Sequence, residues 1–135
     1  MGLQYSVSVR NARLDVVETT IGASAVLKIF DGTKPADCAT ADAGAVLATI
    51  DLPSDWMAAA SDGSKAKAGT WQDASADATG TAAYFRIYAS DGTTCGMQGS
   101  VTLTGSGGDM TVDNTSFASG QSFTVTAFTL IAGNA

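Results

Sequence analysis

Alternation constrains this chain more than any other feature. In "TAAYFRIYAS" (Thr81–Ser90), Phe85 and Ile87 fall on one side of an extended chain and Tyr84, Arg86 and Tyr88 on the other. "SAVLKIF" repeats the pattern, with Ala25, Leu27 and Ile29 set against Val26, Lys28 and Phe30. The two runs end alike, as "LKIFDGT" and "FRIYASDGT", each at an Asp-Gly pair with turn chemistry. A period of two in short runs, broken by Gly, Asp and Ser, specifies strands joined by tight turns.

Further runs extend the set: "AVLATIDLP" (Ala45–Pro53), closed by a proline unable to donate into a ladder, "KAKAGTW" (Lys65–Trp71), "MQGSVTLT" (Met97–Thr104), "DMTVDN" (Asp109–Asn114) and "QSFTVTAFTLI" (Gln121–Ile131). "GSGG" and "ASG" suit hairpin loops, and "ATADAG" and "AAASDGSKAKAG" read as loops of low complexity within a domain. Only the start departs from this pattern. Leu14, Val17 and Ile21 recur at helical spacing, predicting a helix over residues 9–21 with Gly22 as its stop and Ser8 or Asn11 as its cap. Before it, Leu3, Tyr5, Val7 and Val9 alternate. Residues 1–8 are therefore expected to form either an arm laid on a neighbour or an edge strand. The expected architecture is all-β: one domain over residues 1–135, a β-sandwich or jelly roll with one short N-terminal helix.

Composition narrows function by exclusion. The net charge is −6 with seven basic residues, unsuited to binding phosphate backbones, so no nucleic-acid partner is expected. No apolar run approaches the ~18 residues of a membrane span, and no secretory signal is visible at the start, so a cytoplasmic site of synthesis and no membrane partner are expected. Histidine is absent, which removes His-based nucleophilic dyads and His-ligated zinc; two cysteines cannot supply a four-thiolate site. Most aspartates sit in turns. "DASADATG" is superficially like a calcium loop, but Ala78 and Tyr84 stand where that pattern needs glycine and glutamate. No cofactor, metal or catalytic residue is expected, and the chain is read as a non-enzyme.

Two candidate surfaces remain. If the two matched strands are neighbours, Phe30 and Tyr88 come together on their outer face. With Tyr84 and Arg86 they would form an aromatic and basic strip for another subunit, the alternative being a hairpin solution used twice. The second candidate is the N-terminal series Leu3, Tyr5 and Val7. Cys38 and Cys95 each follow one of the matched turns, so the same adjacency would bring them within reach. A disulfide and two free thiols both stay open.

Four segments, "RNARLDVVETTIG", "LKIFDGTKPADC", "SADATGTAAYFRIYASDGTTC" and "GQSFTVTAFTLIAGNA", resemble a group of small structural proteins encoded in the virion gene blocks of tailed bacteriophages and prophages. The resemblance runs over nearly the whole chain and carries no catalytic motif. It implies a capsid decoration (cement) protein on the outer surface of the phage particle, binding the major capsid protein and forming a homo-oligomer, such as a trimer, in the manner of that group. The alternative is a tail-, fibre- or neck-associated module that binds a host ligand, with Trp56 or Trp71 stacking on sugar rings.

Overall fold

The computed structural model describes residues 2–132. Its elements, in chain order, are α1 (Val7–Ile21), β1 (Val26–Phe30), β2 (Val46–Asp51), β3 (Ser64–Ala66), β4 (Gln72–Asp73), β5 (Gly80–Thr81), β6 (Tyr84–Tyr88), β7 (Cys95–Leu103), β8 (Met110–Val112), β9 (Ser116–Phe117) and β10 (Phe123–Ile131). The protein is a small β-rich domain with one helix, its strands gathered mainly into one mixed sheet of order β2-β1-β6-β7-β8-β10-β3. β4 pairs with β10, and β5 and β9 form a separate pair.

The two matched strands are neighbours. β1 and β6 run antiparallel in the register Lys28↔Arg86 and Phe30↔Tyr84. That register places Phe30 on Tyr84, the rings stacked at 4.8 Å, whereas Tyr88 lies opposite Val26 at the other end of the pair. The expected Phe30–Tyr88 juxtaposition is thus corrected: antiparallel pairing puts the aromatics at opposite strand ends. Within Thr81–Ser90, Thr81 ends β5 and Tyr84–Tyr88 form β6, and of Lys65–Trp71 only Lys65 and Ala66 belong to a strand, β3. The short strands β4, β5 and β9 carry too few residues to show any periodicity.

All pairings in the main sheet are antiparallel except β7 with β8. Parallel neighbours usually need a crossover of a dozen or more residues. Here residues 104–109 suffice because β8 spans three residues and need retrace only Val101–Leu103. Gly108 makes this return possible. A Cβ there would lie 2.6 Å from the Thr102 hydroxyl, which instead accepts the Gly108 N–H at 2.9 Å.

The β2 edge of the sheet is bonded to β4 and the segment that follows it. Asp77 N–H donates to Leu47 O at 2.7 Å, Thr49 N–H to Asp73 Oδ2 at 3.2 Å and Thr49 Oγ1 to Asp77 Oδ2 at 2.8 Å, so the outer edge of β2 is sealed by the segment after β4. Inside lie Leu27, Ile29, Phe85 and Ile87 from the inner faces of β1 and β6, with Trp56, Trp71, Met110, Phe123 and Phe128. Phe128 joins the two sides, edge-on to Phe85 at 5.4 Å and tilted against Trp71 at 5.6 Å.

α1 begins two residues earlier than expected, because Ser6 is the cap: its hydroxyl accepts the Val9 N–H at 3.3 Å. Ser8 and Asn11 lie within the helix, and Asn11 Oδ1 takes the Gly63 N–H at 2.8 Å. Gly22 ends the helix at φ 96°, its N–H on Glu18 O. Leu14 and Ile21 are buried and Val17 is packed on the core, as their spacing requires. The edge-strand expectation for Leu3, Tyr5, Val7 and Val9 is overturned: residues 2–6 form no strand, and Val7 and Val9 are helical. Capping by Ser6 satisfies an exposed helical donor that an isolated extended segment would leave to water.

Polar bonds fix α1 to the sheet. Lys65 of β3 is buried; its ammonium meets Asp15 at 2.8 Å, Glu18 at 3.1 Å and Ala58 O at 2.9 Å. Glu18 Oε2 also accepts the Met57 N–H at 3.0 Å, and Trp56 Nε1 donates to Gly22 O at 3.0 Å.

Candidate functional site

The outer face of β1 and β6 is covered by the chain itself. After Phe30, residues 32–44 leave the sheet, fold back across it and return at β2. Asp31 closes the base of this cap: its backbone N–H donates to Ala45 O at 3.2 Å and its Oδ1 accepts the Ala45 N–H at 2.6 Å. The closure requires glycine at position 44. Its φ is +83°, and a Cβ would lie 2.6 Å from Asp31 Oδ1.

The side chains expected to face a partner hold this cap. Tyr84 OH donates to Ala43 O at 2.5 Å and accepts the Ala43 N–H at 2.9 Å. Arg86, 3% exposed, lies at the centre: Nη2 donates to Asp37 O at 3.1 Å and Thr40 O at 2.7 Å, and Nε to Gln98 Oε1 at 3.1 Å. Gln98 in turn reaches Pro35 O at 2.7 Å. Tyr88 OH donates to Asp42 Oδ2 at 3.0 Å. The facing of Phe30, Tyr84, Arg86 and Tyr88 away from the main core agrees with their alternation, but their expected exposure is corrected: Phe30 and the three β6 side chains are buried under residues 32–44. Burying the aromatic rings is favourable, and the carbonyl acceptors of the cap offset the cost of taking the Arg86 cation out of water.

This environment shifts the groups beneath the cap. Burial, reinforced by the Asp42 carboxylate, pushes the Tyr88 phenol up to about 12. Burial likewise pushes the Cys95 thiol up to about 12, with Cys38 beside it. Cys95 leads into β7 and Cys38 lies in the cap; both are half-buried, and their sulfurs lie 2.9 Å apart. Lys28 crosses the rim, its ammonium 5.0 Å from the Tyr88 ring centroid and 3.1 Å from Gly92 O.

The second candidate surface lies open. Leu3 is 70% exposed, and Tyr5, Val7, Val9 and Val16 are also exposed. Val9 and Val16 are seven residues apart and share one helix face. Arg13 lies beside them, its guanidinium 5.1 Å from the Tyr5 ring centroid. From Val16 the apolar strip passes into a groove of about 460 Å³ between the end of α1 (Val17, Thr20, Ile21) and the β6–β7 turn region (Ala89, Thr94, Gly96). The exposure of Val9 and Val16 could have been foreseen: with Leu14, Val17 and Ile21 turned to the core, their spacing puts Val9 and Val16 on the opposite helix face.

Trp56 and Trp71 are fully buried, their indole N–H groups on Gly22 O and Ala68 O, and neither provides a stacking platform for sugars. Among the described residues no group of three or more Cys, Asp or Glu side chains is arranged to hold a metal ion, and no helix is long and apolar enough to cross a membrane. Comparison with protein-family models, curated proteins and solved structures finds no match.

Proposed function

We propose that this chain is a virion structural protein of the tailed-phage kind, a capsid decoration protein that docks on the major capsid protein at the outer surface of the head. The observation that carries the reading is the exposed apolar strip from Leu3 and Tyr5, ahead of α1, through Val9 to Val16 on the helix, whose opposite face is tied to the sheet by Lys65. Exposed aromatic and aliphatic side chains beside an arginine have the make-up of an interface core. The resemblance of "RNARLDVVETTIG" and the three other segments to virion proteins supplies the partner. Weak contacts of this size become effective through repetition on a lattice, and a homo-oligomer, such as a trimer, would add to that avidity. The bonding of the β2 edge to Asp73 and Asp77 supports reading the fold as a jelly-roll-like sandwich, a compact body suited to a solid surface. The adsorption alternative loses its sugar-stacking tryptophans to the core.

The test is co-sedimentation of the purified protein with intact heads lacking it. Deleting residues 2–5 or introducing Val16→Asp is expected to weaken retention on heads at least ~10-fold, while Tm changes by no more than about 3 °C, because these side chains contribute little to the core. Failure of the unmodified protein to bind heads would overturn the proposal. So would equal losses of retention and thermal stability in both variants.

A further inference from the structure

Cys38 and Cys95 meet where the cap touches the sheet, their sulfurs 2.9 Å apart. Cys38 sits in residues 32–44, which form no strand or helix and are mostly exposed. Cys95 opens β7, a strand held on one side by β6 through the pairs Tyr88↔Cys95 and Ile87↔Met97. Apart from this contact, the cap is held to the outer face by hydrogen bonds from Tyr84, Arg86, Tyr88 and Gln98. The segment between the sulfurs spans 57 positions and includes β2 through β6.

We propose that Cys38 and Cys95 form a redox latch: a low-molecular-weight disulfide such as oxidised glutathione converts the two thiols into an intramolecular disulfide that locks the cap over Arg86. In the first step the Cys38 thiolate attacks one sulfur of the glutathione disulfide. A mixed disulfide forms on Cys38, and one glutathione thiolate departs. Cys95 then loses its proton to solvent and attacks the Cys38 sulfur, expelling the second glutathione. One small disulfide has been reduced to two thiols, and two protein thiols have been oxidised to one disulfide.

Cys38 is the entry point because it is carried on the mostly exposed cap, whereas Cys95 lies against β6. Burial pushes the Cys95 thiol up to about 12, so little of it is thiolate at neutral pH, and its attack relies on the 2.9 Å contact with Cys38. The latch is open in a reducing compartment and closes after exposure to an oxidising one. The stabilisation acts chiefly by restricting the unfolded chain, and a loop of this length gives a large effect.

The experiment uses the full chain, incubated with either dithiothreitol or oxidised glutathione. Oxidation is expected to remove the mass of two hydrogen atoms, to yield a peptide linking Cys38 to Cys95 on non-reducing digestion, and to raise Tm by roughly 5–15 °C. Amide exchange over residues 34–44 is expected to slow at least ~10-fold. Cys38→Ser, at a half-buried position, should fold and show none of these responses; Cys95→Ala provides the same control from the sheet side. Accumulation of a persistent glutathione adduct on Cys38 without closure would overturn the proposal. So would a disulfide that forms while exchange in the cap and Tm stay unchanged.

Discussion

Replacing Arg86 with methionine would separate a cap built into the fold from a loop merely resting on it. Arg86 makes three hydrogen bonds, to Asp37 O, Thr40 O and Gln98 Oε1, at 2.7–3.1 Å from a side chain 3% exposed. Each bond from a charged donor is worth about 1.5–3 kcal/mol, and two of the acceptors are main-chain carbonyls of the cap that cannot follow the side chain away. Against this stands the relief of removing a buried cation, which costs several kcal/mol to desolvate. Methionine fills much of the volume, so a cavity adds little. The balance is a loss of about 3 kcal/mol, or roughly 10 °C in Tm for a chain of this size. Urea unfolding should show the lower midpoint, and amide exchange should show the cap opening ahead of the sheet. Arg86→Lys should recover part of the loss, since an ammonium keeps the charge but cannot present the planar fork that reaches both carbonyls and Gln98. An R86M protein within about 0.5 kcal/mol of the unmodified chain, with unchanged exchange over residues 34–44, would refute the reasoning.

The attachment of α1 can be tested at Glu18, which holds both the buried Lys65 ammonium and the Met57 N–H. Glu18→Ala is expected to cost about 2–3 kcal/mol in urea unfolding and to speed exchange in residues 57–66, and a change under about 0.5 kcal/mol would show that Asp15 alone suffices. Tyr88 sets an alkaline dependence. Its phenol titrates near 12 in the fold against 10 in an unfolded chain, so the folded state holds this proton more tightly. Its contribution is complete below pH 10 and lost as pH rises toward 12. Cys95 acts in the same direction, so the diagnostic is the difference between Tyr88→Phe and the unmodified chain. The variant should show a shallower fall in Tm over that range, and identical slopes would count against the buried phenol.

Alternation alone determined much of this protein. The pattern of Leu27, Ile29, Phe85 and Ile87 against Lys28, Phe30, Tyr84, Arg86 and Tyr88 established two strands and assigned each side chain to a face, because successive residues of an extended chain must point in opposite directions. The spacing of Leu14, Val17 and Ile21 established a helix and its buried side in the same way. Local rules could not say what lies beyond a face. Tyr84–Tyr88 is buried throughout, and its lack of any small polar residue was a sign that both sides are covered, as in strands that read as continuous apolar runs. Tertiary structure decided that the cover is residues 32–44 of the same chain, through contacts such as Tyr84 with Ala43 and Arg86 with Asp37, which lie 41 and 49 positions apart. It also decided that the N-terminal residues lead into a helix, leaving Leu3, Tyr5 and Val16 exposed. Side-chain direction is a property of neighbouring residues, while burial depends on which distant segment arrives to exclude water.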